Sequence, residues 1–171
     1  MRIPVLRCLV FSAVLLPLAA QAETQTFSAQ IGGAEFVSDD DSISLVPAGN
    51  ASGSFSLSAS SKGASAWPPP KTPVDRLSII CGGLAAGQRL KLDSGNFSRA
   101  ECDVRFSKGV KTMGGDPDAE YKLDKQHAGN QFEIERAEGK RYAGRFSFRL
   151  LDAAGQAHDV SGSFQAEDRQ L

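Results

Sequence analysis

Few side chains in this sequence could do chemistry near neutral pH. His127 and His158 are its two histidines, and only they are suited to act there as a general base. In a strand, His158 and Asp159 would point to opposite faces, so we do not expect them to act as a pair. The segment after residue 22 also lacks Gly-x-Ser-x-Gly, Ser-x-x-Lys and His-Glu-x-x-His, which mark common hydrolases. We therefore predict a non-enzymatic protein without a cofactor.

Cys81 and Cys102 are the second chemical candidate. They are the only cysteines after residue 22, and no histidine lies near them in the sequence. A structural zinc site takes four protein ligands, so this pair alone does not make one. In an oxidising compartment an even number of cysteines normally pairs. We predict a disulfide that joins the end of one strand to the start of another.

Two acidic stretches are the remaining candidate for a metal site. Three consecutive aspartates occupy residues 39–41, and further acids lie within residues 116–120. Calcium takes several oxygen ligands, which makes weak candidates of Asp39, Asp41, Asp116 and Asp118. Neither stretch has the spacing of an EF-hand loop, and solvated loop acids are the favoured interpretation.

The N-terminus has the three zones of a secretory signal peptide. Arg2 and Arg7 form a basic start, and the apolar run over residues 8–18 is too short to span a membrane. Ala20-Gln21-Ala22 supplies the small-x-small pattern that signal peptidase reads. We predict cleavage between Ala22 and Glu23, no stable membrane anchor afterwards, and a periplasmic or secreted location.

The predicted mature chain, residues 23–171, is long enough for one domain with its own core. It keeps 17 of the 19 basic residues and all 20 acidic ones, for a formal charge of −3. This weak acidity argues against nucleic-acid binding, which needs a clustered basic face.

Apolar residues in the mature chain recur mostly with a period of two, which is typical of β-strands. Glycine, serine, asparagine and aspartate separate the runs. The pattern predicts an all-β, antiparallel sandwich or barrel of about 8–10 short strands. The candidate strands are residues 27–31, 34–38, 42–46, 54–60, 76–81, 88–92, 101–106, 131–137, 140–151 and 157–166.

The C-terminal third reads as a hairpin followed by one more strand. Gly144 lies between apolar residues of one strand face, which indicates a bend or a close approach of two chains. The stretch with Gly144-Arg145-Phe146-Ser147-Phe148 and Gly162-Ser163-Phe164 resembles the end of small secreted bacterial β-sandwich domains of uncharacterised function, many of them lipoproteins. Phe27-Ser28-Ala29 with Gly32-Gly33 is similar to their beginning. The resemblance implies an exported β domain and no catalytic residue.

Three segments do not fit a regular strand pattern. Asp116-Pro117 followed by acidic residues is typical of a helix start, so a short helix near residues 117–127 stays open beside a strand. Residues 61–75 and 107–118 are predicted as the longest loops. The first contains Trp67 in a proline-rich run, and we expect this ring to pack onto the sheet rather than to be presented to a partner.

These observations favour an exported binding domain. We expect it to bind a protein or an envelope component, chiefly through residues 61–75 and 107–118, because long loops usually carry recognition in β domains. A carbohydrate-binding module is the alternative, although tryptophan and tyrosine are few. A hydrolase of unfamiliar type is the second alternative.

Overall fold

A computed structural model describes residues 24–47, 53–68, 72–83, 87–111 and 115–169. The predicted signal peptide and its cleavage point between Ala22 and Glu23 lie outside the described residues, as do parts of both predicted loops. All of the following structural statements concern the described ranges.

The described chain is all-β. Alternate residues of most strands are buried, as in β1, because successive side chains point to opposite faces. The strands are β1 (Thr26–Ile31), β2 (Ala34–Ser38), β3 (Ile43–Val46), β4 (Ser54–Ser60), β5 (Val74–Gly82), β6 (Leu90–Leu92), β7 (Asp103–Val110), β8 (Ala119–Leu123), β9 (Gln131–Glu138), β10 (Arg141–Leu151) and β11 (Ala157–Glu167). Short 3₁₀ turns lie at Asp40–Ser42 and Phe97–Ala100.

The strands form one antiparallel sheet that nearly closes into a barrel. Hydrogen-bonded neighbours follow the order β2-β1-β11-β10-β8-β7-β5-β4-β3, and β6 pairs with β9, which pairs with β10. A single bridge pairs Leu45 of β3 with Asp168, just after β11. It links β3, at one end of this order, back to β11. The predicted fold class is therefore confirmed, and the sheet is barrel-like.

Phenylalanine rings fill much of the barrel interior. The rings of Phe132 and Phe164 stack with centroids 5.7 Å apart, and Phe55 contacts Phe132 at 5.0 Å. Gly144 lies at a register shift between β9 and β10, where an added Cβ would overlap the carbonyl oxygen of Glu133. This is the close approach that the sequence indicated, and only glycine fits there without a backbone shift.

The predicted disulfide is confirmed. Cys81 lies near the end of β5, and Cys102 immediately precedes β7, with their Cα atoms 4.1 Å apart. Both side chains are buried. Closing this ring restricts the unfolded chain and stabilises the fold by about 3 kcal/mol in the chain-entropy account.

The structure decides one alternative that the sequence left open and corrects the extent of one predicted loop. The helix considered near residues 117–127 is absent, because Ala119–Leu123 forms β8 between β7 and β10 and a turn follows it. Pairing on both sides overrides the local helix-start signal. The segment 107–118 is also shorter as a loop than predicted, since β7 continues to Val110. With β8 the described sheet has eleven strands, one more than the ten candidate strands of the sequence.

Candidate functional site

At one end of the barrel the inward-facing positions become polar. His158 on β11 faces the same side as Val160, and Lys108 on β7 faces the same side as Phe106. These positions open into a cleft of about 300 Å³, which we call the mouth cleft. Its lining residues are Ile31, Gly32, Ala34, Glu35, Phe36, Asp75, Phe106, Lys108, Tyr121 and His158.

Four rings form a continuous row along the mouth cleft. Phe36 meets Phe106 edge to face at 6.0 Å, and Phe106 stacks on Tyr121 at 5.7 Å. The imidazole of His158 contacts the Tyr121 ring at 4.6 Å. Phe36 and Phe106 are buried, whereas Tyr121 and His158 are half-buried and border the open space. The row therefore gives the cleft an apolar floor with an accessible aromatic face.

Several polar groups around this floor have no partner within the described chain. The Glu35 carboxylate, the Lys108 ammonium and the Tyr121 hydroxyl make no hydrogen bond or ion pair with any described residue. Asp75 is better satisfied, because one of its carboxylate oxygens accepts a hydrogen bond of 2.8 Å from the N–H of Gly109. Two acids, one cation and one hydroxyl thus surround the ring row.

His158 is held in place from both sides. Its Nε2 lies 3.2 Å from a carboxylate oxygen of Asp152. The pKa of the Asp152 carboxyl is lowered mainly by the hydrogen bond that it accepts from the N–H of Gln156. The hydrogen bond with His158 is the next contribution. On its other side, Nδ1 lies against Gly32, where an added Cβ would approach it to 3.3 Å. The imidazole is oriented, and its second nitrogen faces glycine rather than a nucleophilic side chain.

Asp159 is on the opposite face, as the sequence predicted. Its carboxylate accepts a hydrogen bond of 3.1 Å from Nε of Arg149 on the neighbouring strand β10. His158 and Asp159 therefore contribute to different surfaces. The partner of His158 is Asp152, six residues earlier, which the sequence analysis did not identify.

The calcium candidates do not form a site within the described chain. No three histidine, cysteine, aspartate or glutamate side chains in those ranges come together to hold a metal ion. Asp39 instead accepts a hydrogen bond from the N–H of Gly63, and Asp118 pairs with Lys111 at 2.7 Å. Asp41 and Asp116 are exposed. The contact of Asp39 joins two loops, whereas that of Asp118 lies within the single connection between β7 and β8.

Two other predicted features lie away from the mouth cleft. His127 is in the turn after β8, with its ring close to Gly129. Trp67 is 89% exposed, so the expectation that it packs onto the sheet is wrong. Backbone hydrogen bonds fix the described part of its loop at the base, such as the one of 2.8 Å from the N–H of Ser61 to the carbonyl oxygen of Asp75.

The two segments predicted to carry binding both reach the mouth cleft. Residues 61–75 end at Asp75, and residues 107–118 begin beside Lys108, so each contributes one lining residue. The sequence did not predict that the ring row and Glu35 belong to the binding surface. The sequence did contain a signal for the cleft, because three strands place a polar residue at the last inward-facing position of their alternation. These residues are Asp75, Lys108 and His158.

A second polar region lies at the opposite end of β11. Gln25 is 6% exposed, and its side-chain amide donates to the Asp40 carboxylate at 3.0 Å. Its carbonyl oxygen accepts a hydrogen bond of 2.7 Å from the N–H of Glu167, and Arg169 also donates to Asp40, at 2.8 Å. We call these four residues the Gln25 cluster. The Gln25 hydrogen bonds are the main cause that lowers the pKa of Asp40.

Comparisons with known protein families, with curated proteins and with solved structures find no significant match for this chain. Within the described ranges, no helix has the length and apolar character required to cross a membrane.

Proposed function

We propose that this protein is an exported, non-enzymatic domain that binds a protein or an envelope component in its mouth cleft. One observation carries the proposal. The cleft combines an aromatic floor with Glu35, Lys108 and the Tyr121 hydroxyl, none of which has a partner in the described chain. Ligand sites have this composition, with mostly apolar walls and a few polar groups that fix orientation.

The position of the cleft supports the same proposal. Barrel mouths are common ligand sites, because strand ends bring side chains from distant parts of the sequence to one opening. Here they bring together β2, β5, β7, β8 and β11. A volume of about 300 Å³ is at the small end for a ligand pocket, which favours a small group or a single side chain of a larger partner.

Export is supported by two independent features. The N-terminal pattern ending at Ala20-Gln21-Ala22 has the three zones of a signal peptide. The Cys81–Cys102 disulfide is the kind of bond that persists in oxidising compartments and is rare in the cytosol. Together these two features support a periplasmic or secreted location.

Carbohydrate binding is a second candidate, since the accessible face of Tyr121 lies near the carboxylates of Glu35 and Asp75. Sugar rings stack on aromatic faces, and carboxylates accept hydrogen bonds from hydroxyl groups. The first proposal is favoured because Phe36 and Phe106 are buried, which leaves a narrow cleft rather than a flat aromatic platform.

The proposal is tested by an affinity pull-down from native envelope extract, using the mature protein as bait. We expect Tyr121→Ala and Lys108→Ala to lose the partner that the unchanged protein retains. The matched control is Arg105→Ala, because Arg105 lies on the same strand as Lys108 but is exposed on the outer face. Circular dichroism verifies that each variant is folded.

A ligand-observed NMR screen with capped amino acids and monosaccharides provides the second readout. We expect compounds that bind the unchanged protein and not Tyr121→Ala. A folded Tyr121→Ala variant that retains both the extract partner and every bound compound would place binding elsewhere on the molecule.

A further inference from the structure

The outer edge of β2 has backbone groups that point away from β1, which is its only strand partner within the described ranges. Gly32 and Gly33 both have positive φ, so the β1–β2 hairpin has a tight two-residue turn, and Ile31 pairs with Ala34 across it. In such a hairpin Ala34 and Ile31 exchange hydrogen bonds, and the direction alternates along the strand. The amides of Glu35 and Val37 therefore point outward.

One of these outward backbone groups already makes a hydrogen bond within the protein. The carbonyl oxygen of Val37 accepts a hydrogen bond of 2.9 Å from the N–H of Lys62, which agrees with this assignment. The N–H of Val37, and both the N–H and the carbonyl of Glu35, have no partner in the described chain. The space beside β2 is thus closed at Lys62 and opens toward Glu35, where the mouth cleft begins.

We propose that the occupant of the mouth cleft is an extended segment of a partner protein that adds to β2 as a short strand. This inference rests on the proposed function and names its ligand class. The added strand bonds to the free groups of Glu35 and Val37, and it inserts one apolar side chain over Tyr121. Unpaired strand edges are ready templates for such pairing, in which main-chain bonds give affinity and a pocket selects the side chain.

The size and charge of the cleft fit this occupant. A strand places alternate side chains on one face, so a segment held at Glu35 and Val37 presents one side chain to the ring row and its neighbours to solvent. The half-buried Tyr121 and His158 provide contact for a large apolar group. Lys108 on one side and Glu35 on the other can pair with charged or polar groups that flank it.

The probe is a library of capped pentapeptides with a varied apolar residue at the centre, titrated into the full mature protein. The strongest binder is then resynthesised with a single backbone N-methyl group at each position in turn. We expect methylation at alternate positions to weaken binding about tenfold, because only every second N–H faces β2, and the intervening positions to change little.

A protein variant tests the same bonds from the other side. Glu35→Pro removes the outward N–H while leaving the hydrogen bonds to β1, since proline is tolerated at a strand edge when its nitrogen faces outward. We expect it to weaken the peptide at least about fivefold relative to Glu35→Ala, because both variants lack the carboxylate and only Glu35→Pro also lacks the N–H. If Glu35→Pro does not fold, the methylation series decides alone.

The outcomes separate this inference from the proposed function. Peptides that require Tyr121 but are insensitive to the methylation pattern overturn strand addition and leave the cleft as the binding site. The same holds if only monosaccharides bind at Tyr121. If neither peptides nor monosaccharides perturb Tyr121, both the inference and the proposed function fail.

Discussion

The Gln25 cluster and the mouth cleft lie at opposite ends of β11, and their polar groups are treated differently. In the Gln25 cluster, the amide of Gln25 bonds to Asp40 and to the backbone N–H of Glu167. In the mouth cleft, Glu35 and Lys108 have no partner within the described ranges. Buried polar groups that are paired hold a fold together, whereas polar groups left unpaired around a cleft remain able to bind something else.

The largest effect that distinguishes the two regions should come from Gln25→Ala. The change leaves the N–H of Glu167 and the carbonyl of Ile43 without their buried partner, and it removes a donor to Asp40. Each unsatisfied buried group costs about 1–3 kcal/mol, so we expect the free energy of unfolding to fall by about 3 kcal/mol. Urea denaturation measures the change.

Gln30→Ala is the matched control, because Gln30 is an exposed residue of the neighbouring strand β1. We expect its effect to be within about 0.5 kcal/mol. Equal losses in the two glutamine variants would mean that the Gln25 cluster does not hold this end of the barrel.

Tyr142 and Tyr121 extend the comparison between the Gln25 cluster and the mouth cleft, because replacing each tyrosine by phenylalanine removes only its hydroxyl group. The hydroxyl of Tyr142, which lies at the Gln25 end of β10, accepts a hydrogen bond of 2.7 Å from the N–H of Gly87. Tyr142→Phe should therefore cost about 1.5 kcal/mol of stability. Tyr121→Phe should change stability by less than about 0.5 kcal/mol, since its hydroxyl has no partner in the described ranges.

Thermal unfolding of both phenylalanine variants provides the measurement. The proposed difference between the two regions would be contradicted if Tyr121→Phe lowered the thermal stability more than Tyr142→Phe. A weaker affinity of Tyr121→Phe for the peptide or partner, at unchanged stability, would show that the free hydroxyl is used in binding.

The smallest expected effect is a pH dependence from Asp40. The Gln25 hydrogen bonds, with Arg169 adding to them, lower its pKa in the folded state below the ordinary 3.8. A carboxyl with a lowered folded pKa stabilises the fold above its unfolded pKa, and this contribution is lost as the pH falls through the folded value. We expect stability to decrease below about pH 4, and less steeply in Asp40→Asn.

Urea denaturation at several values between pH 5 and pH 2 would measure this slope, with the pH range set by the ordinary pKa of 3.8. Gln25→Ala offers an independent check, because it removes the main cause of the shift and should flatten the same range. A slope that both variants leave unchanged would exclude Asp40 as its source.

The sequence predicted most of the barrel but little of the mouth cleft. Ten of the eleven strands follow from alternation alone, because one buried face imposes a period of two. The strand β8 was left open beside a helix, since Asp116-Pro117 resembles a helix start and only pairing with β7 and β10 decides the outcome. Local signals cannot reveal such pairing.

The mouth cleft was missed for a similar reason. The sequence separates Phe36 from His158 by 122 positions, with Tyr121 between them. The three rings meet only because β1 pairs with β11 and β8 pairs with β10. The residues of the cleft could be recognised singly as strand positions, but their meeting depends on how the sheet closes. The exposure of Trp67 was likewise misjudged, because the contacts of its loop with β2 and β5 cannot be read from the local sequence.

The Cys81–Cys102 bond also determines what happens if the backbone is cut. The chain between the two cysteines includes β6 and the exposed Arg89, which trypsin-like proteases recognise. A single cut at Arg89 leaves both fragments joined through the disulfide. A nicked molecule would therefore migrate as one band without reducing agent and as two bands with it, and β5 and β7 would remain covalently linked across the break.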